Sequence, residues 1–208
     1  MAEELNHGMM MKALDYCYIK AVNGLPGFDS AEELALDYMN SSSSLQHNAK
    51  RLVNWQCAKA GTSGFITGLG GLLTLPVSIP ANITSVLFLQ VRMIAAVAVM
   101  GKCDIRNDQV KTLVYMCLCG SAAGDILKDV GIQLGKKLTV TTIKKISGAT
   151  LTKINQKVGF RLLTKFGEKG LVNLGKTVPI LGGLIGGAFD TGTTKIIGKV
   201  AIKTFLPE

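Results

Sequence analysis

The chain has 208 residues, 48% hydrophobic and 18% charged, with a mean hydropathy of +0.33 and a net charge of +9. So much apolar material with so little charge excludes a disordered chain. The apolar residues are not gathered into the many long runs of a polytopic carrier either, which leaves a greasy globular domain or a protein that meets a bilayer.

Residues 2–22 read as a helix with Leu5, Met9, Tyr16 and Ile19 among its apolar positions, stopped by Asn23-Gly24-Leu25-Pro26-Gly27. Ser30 and Glu33 form a capping box that opens a short helix from Ala31 to Met39. Ser41–Ser44 read as a loop, with Ser43 and Gln46 placed to cap a helix from Leu45 to Lys59. Residues 1–60 thus form a water-compatible helical module expected to pack on the remainder, 61–208. The opening residues are acidic and carry no apolar run, unlike a secretory signal.

From Ala60 to Val91 there is no charged residue for 32 positions. Gly64, Gly68 and Gly71 notch the first part, and Pro76 and Pro80 follow. Pro80 suits the first turn of a helix running to about Met100. Such a helix, about 20 residues and roughly 30 Å long, matches a hydrocarbon core. Arg92 in its middle disfavours simple spanning, because a central arginine costs about 2.5–3.5 kcal/mol on insertion scales. A core helix with Arg92 paired or snorkelling outward is therefore favoured, and Asp104, Asp125 and Asp190 are the candidate partners.

After Gly101–Asp104, either Asp104 or Asn107 can cap a helix reaching Leu127. Its small residues from Gly120 to Gly124 let another backbone come close. Residues 131–170 read as helical with interruptions at Gly135 and Gly148. The run from Leu138 to Ile143 is β-branched, but helix is favoured because no partner strands are evident. Lys153, Lys157, Arg161, Lys165 and Lys169 recur every fourth residue, and Ile154, Val158, Leu162 and Phe166 follow one position later. This is an amphipathic helix with a basic stripe. It is either a solvated face whose lysine stems cover the core or a binding face for anionic lipid. Nucleic acid is disfavoured, since no recognition motif or aromatic platform accompanies the charge. Residues 1–127 carry a net −1 and residues 128–208 a net +10, so the second half supplies the basic character.

Gly170 to Thr177 literally satisfies the phosphate-loop pattern through Gly170, Gly175, Lys176 and Thr177. The preceding segment is lysine-rich and helical rather than a buried strand, and Pro179 interrupts the helix that should follow, so the match is read as chance. From Val178 to Asp190 the pairs Gly182/Gly186 and Gly183/Gly187 are flat ridges for tight helix crossing. With 13 uncharged residues (177–189) this segment is too short to span, and a buried hairpin or re-entrant segment fits it better.

Five cysteines without a Cys-x-x-Cys, and only His7 and His47 beside them, give no metal ligand set; free thiols in a reducing compartment are expected. No catalytic constellation and no cofactor site is legible.

The block from Lys59 through Gly61, Gly64, Gly68 and Gly71 to Pro76, Pro80, Asn82, Gln90 and Arg92 resembles the EcsC protein family. So does the stretch from Val178 to Asp190, ending with Ala201 and Phe205. The resemblance covers nearly the whole chain. It implies a bacterial, mostly helical, single-domain protein associated with an ABC-transporter operon, and it brings no active site. The resulting expectation is an all-α, single-domain, non-enzymatic protein of the bacterial cytoplasm, peripheral or monotopic at the inner membrane. It would bind anionic phospholipid or an acidic protein through its basic helix, with ABC-transporter components as further candidate partners. A soluble adaptor is the alternative; a membrane-perturbing effector and a nucleotide switch rank below both.

Overall fold

The computed structural model describes residues 5–60, 79, 81–132, 138–166 and 182–206. Among these, nine α-helices and one 3-10 turn carry the fold, with no strand beyond a single isolated bridge. The all-α expectation holds.

Local signals set most helix ends. Helix α1 (His7–Asn23) starts at Asn6, whose side chain accepts the Met9 N–H at 3.0 Å. It stops at Gly24, whose φ of 80° is open to glycine at little cost. Leu25 and Phe28 then exchange backbone hydrogen bonds across Pro26 and Gly27, closing the turn. Helix α2 (Ala31–Met39) has the full capping box. The Ser30 N–H donates to the Glu33 carboxylate at 2.8 Å, and the Glu33 N–H donates to Ser30 Oγ at 3.2 Å. The bond from the Ser30 N–H, with the Ser30 hydroxyl beside it, holds the Glu33 carboxyl below its ordinary pKa. Helix α3 (Leu45–Ala60) is capped one residue later than the sequence suggests: Ser44, not Ser43, accepts the His47 N–H.

Helix α4 (Ala81–Met100) is the centre of the molecule. Every residue from Ile83 to Met100 except Val99 is buried. Five helices pack on α4: α1, α2, α3, α5 (Asp108–Cys117) and the C-terminal helix. Each large apolar side chain withdrawn here contributes about 1.5–3 kcal/mol. Among the described residues α4 is long and apolar enough to cross a bilayer, yet its faces are covered by the chain's own helices. It ends in a Schellman motif. Cys103 N–H donates to Ala98 O at 3.0 Å and Lys102 N–H to Val99 O at 2.8 Å, with Lys102 at φ 60°. The neighbouring Gly101 is held to glycine by packing: a Cβ there would collide with the Phe205 carbonyl.

Asn107 caps α5 by accepting the Gln109 N–H, while Asp104 accepts the Arg106 N–H in the preceding turn. The single helix expected to reach Leu127 is instead broken. After Cys117 the chain makes a turn and a 3-10 segment (Gly120–Ala122), then resumes as α6 (Ala123–Lys128). The break lies where the C-terminal helix passes, with Ile196 Cγ2 3.4 Å from the position of a Cβ on Gly120. The small-residue patch therefore admits a neighbour, as expected, and it also ends the helix. The β-branched run is helical in its described core: α7 (Val140–Lys144) is capped by Thr139. Ser147 caps α8 (Gly148–Phe166), which packs on α1 and α5.

Helix α9 (Gly182–Phe205) runs unbroken. No hairpin turn falls within residues 182–190, because Gly182, Gly183, Gly186, Gly187 and Asp190 form the first turns of this long helix. The glycine and proline notches at Gly64, Gly68, Gly71, Pro76 and Pro80 lie outside the described residues, as does Gly135.

Candidate anion-binding surfaces

On α8 the every-fourth-residue stripe drifts by about 40° per step, because four residues exceed one 3.6-residue turn. The burial pattern follows that drift. Lys153, Lys157 and Arg161 are exposed, Lys165 is half-buried, and Lys169 lies outside the described residues. Ile154, Val158 and Leu162 are buried, with Phe166 at the margin, so the apolar face is the expected one. Phe160 stands among the cations and is 68% exposed. It shares the outer face with Lys153, Lys157 and Arg161 through the i, i+4, i+7, i+8 spacing. Lys157 pairs with Asp129, an exposed contact that lowers the pKa of that carboxyl.

Arg92 is 2% exposed, and none of the described acids expected to pair with it does so. Asp104 and Asp125 are exposed, and the side chain of Asp190 lies outside the described residues. The guanidinium instead donates from Nη1 to the backbone carbonyl of Asp29 at 2.9 Å and lies 5.6 Å and 5.8 Å from the Phe28 and Phe88 ring centroids. Its Nε finds no partner among the described residues. Burial lowers its pKa and the Asp29 charge opposes that shift. This is a structural anchor that ties the Gly24–Ser30 turn to α4.

A second basic surface escaped the sequence reading. Lys195, Lys199 and Lys203 repeat every fourth residue along α9, all exposed. With Lys50 of α3 they line a groove of about 470 Å³ floored by Val53, Ile202 and Leu206. The repeat was legible, since it is the same step seen on α8. The contribution of Lys50 was not, because α3 and α9 lie far apart in sequence.

The titratable interior gives no sign of an activated nucleophile among its thiols and phenols. Burial pushes the Cys17 and Cys117 thiols up to about 12. Tyr18 and Tyr115 also shift upward, chiefly by burial. Tyr18 donates to the Ile105 carbonyl and Tyr115 to Asp15. Among the described residues no group of His, Cys, Asp and Glu side chains is arranged to hold a metal ion. The phosphate-loop match at Gly170, Gly175, Lys176 and Thr177 lies outside the described residues.

No curated protein and no solved structure matches the chain. The model of the EcsC protein family matches residues 28–206, taking in the Arg92 anchor, helix α4 and both basic surfaces. That match covers most of the sequence, and the chain belongs to the EcsC protein family.

Proposed function

We propose that this protein is a non-enzymatic accessory protein that docks reversibly on an acidic phospholipid surface through the outer face of α8. The observation that carries this reading is Phe160, an exposed ring set among Lys153, Lys157 and Arg161. A ring entering the headgroup layer while cations meet lipid phosphates is the usual pattern of interfacial binding. Each cation near such a surface is worth about 1 kcal/mol, and burial of a phenylalanine about 1.5–3 kcal/mol. The sum, about 4.5–6 kcal/mol, supports weak and salt-sensitive attachment. The enclosure of α4 favours peripheral docking over insertion. The place of action we infer is the cytoplasmic face of a bacterial inner membrane, beside an ABC-type transporter.

The test is flotation of the full chain on vesicles of phosphatidylglycerol and phosphatidylcholine. The triple variant Lys153→Glu, Lys157→Glu, Arg161→Glu loses binding by at least about 100-fold, on the scale of 1 kcal/mol per charge. Asp129→Asn, which releases Lys157, binds more tightly. Equal flotation of the wild type on neutral vesicles, or of the triple variant on acidic ones, would refute this docking mode. The buried α4 also suits a soluble adaptor that offers the same face to an acidic protein. Indifference to acidic vesicles with retained binding to an acidic polypeptide would select that reading.

A further inference from the structure

Helices α3 and α9 cross closely because Gly198 has no side chain: a Cβ there would collide with Val53 Cγ1. Val53 also forms part of the floor of the 470 Å³ groove, so the groove opens directly beside this crossing. Its volume lies in the range of small-ligand sites. Lys50 enters from α3, and Lys195, Lys199 and Lys203 enter from α9. No acidic residue is among the lining residues, and none of these four lysines takes part in an ion pair among the described residues. Residues 191–206 contain no Asp or Glu at all.

Ordinary surface lysines alternate with acids and leave no concentrated field. Four lysines lining one concavity with no acid among them do the opposite: they leave a net positive potential that a groove focuses. The negative end of the helix dipole accounts for Lys203 in the last turn of α9. It does not account for Lys195, two turns earlier. Ammonium point charges suit tetrahedral phosphate, whereas paired recognition of planar carboxylates favours arginine. The apolar floor of Val53, Ile202 and Leu206 gives no partner to a bare ion but accepts a few carbons.

We propose that this groove binds a phosphate ester of two or more negative charges, with the phosphate among the four lysines and the esterified carbons on the apolar floor. The site is separate from α8, so it stands or falls independently of vesicle docking. The test is calorimetric titration of the full chain with monomeric dihexanoyl phosphatidic acid, glycerol 3-phosphate and inorganic pyrophosphate. The expected result is saturable binding of at least one phosphate ester. Lys195→Gln with Lys199→Gln weakens it at least tenfold, while Lys144→Gln with Lys145→Gln, exposed at the C-terminal end of α7 and outside the groove, leaves it unchanged. Tighter binding of the lipid analogue than of glycerol 3-phosphate assigns the site to a lipid headgroup; comparable binding assigns it to a soluble ester. In the wild type the bound ester protects Lys199 from reductive methylation, a readout that does not depend on the variant folding. Saturable binding of neither ester, pyrophosphate as the tightest ligand, or affinity unchanged in the groove variant would overturn the proposal.

Discussion

Replacing Arg92 by methionine and by lysine separates two accounts of this buried cation. The guanidinium contributes one charge-assisted hydrogen bond to Asp29 O, worth about 1.5–3 kcal/mol. Its two ring contacts add about 0.5–2 kcal/mol each. Against these stand a desolvation cost of several kcal/mol and an unpartnered Nε costing about 1–3 kcal/mol. The opposing sums are of similar size. Arg92→Met, which removes both sides and keeps the volume, therefore changes stability by no more than about 1.5 kcal/mol. Arg92→Lys keeps a buried charge but loses the planar group that lies against Phe28 and Phe88, and an ammonium is more strongly hydrated. It destabilises by about 2–4 kcal/mol, or roughly 5–15 °C in Tm for a chain of this size.

The assay is urea unfolding followed by far-ultraviolet circular dichroism at pH 7 and pH 9.5. Burial depresses the folded-state pKa of a lysine at this site, so below the usual lysine range the unfolded chain binds more protons. Stability of the lysine variant consequently rises with pH between its folded pKa and about 10.4. A methionine variant as damaged as the lysine one would refute the reasoning, because it would make the guanidinium a net source of stability rather than a balanced anchor.

Two glycine-to-alanine changes should differ in sign. At Gly101 the added methyl meets the Phe205 backbone carbonyl, which cannot rotate away, and Gly101→Ala costs about 1–3 kcal/mol. At Gly159, within α8, it meets only the exposed His7 ring, so Gly159→Ala gains up to about 1 kcal/mol of helix propensity. Denaturant midpoints for the pair decide the matter, and equal losses would show that His7 is fixed in place. Gln56 is fully buried and, among the described residues, neither amide atom is hydrogen-bonded, so Gln56→Met raises stability by about 1–2 kcal/mol. A melting temperature that falls instead would reveal a partner for that amide.

The helix boundaries were largely legible because they are written in neighbouring residues. The Ser30–Glu33 box, the Asn107 cap and the Gly24–Gly27 turn each act over two to four positions. The apolar stripe of α8 was legible for the same reason, since a helical period fixes which residues share a face. The break at Gly120 was not, because it depends on α9 arriving from more than 70 residues away in the chain. The sequence by itself determined an all-α chain, the position of its central apolar helix and the basic face of α8. Only the tertiary structure decided that Arg92 rests on the Asp29 carbonyl and two rings rather than on an acid, and that lysines of α3 and α9 share one groove. Caps and periods arise from contacts within a turn or two. The neutralisation of a buried charge and the meeting of two helices depend on groups 63 residues apart at Arg92 and Asp29, and farther still across the groove.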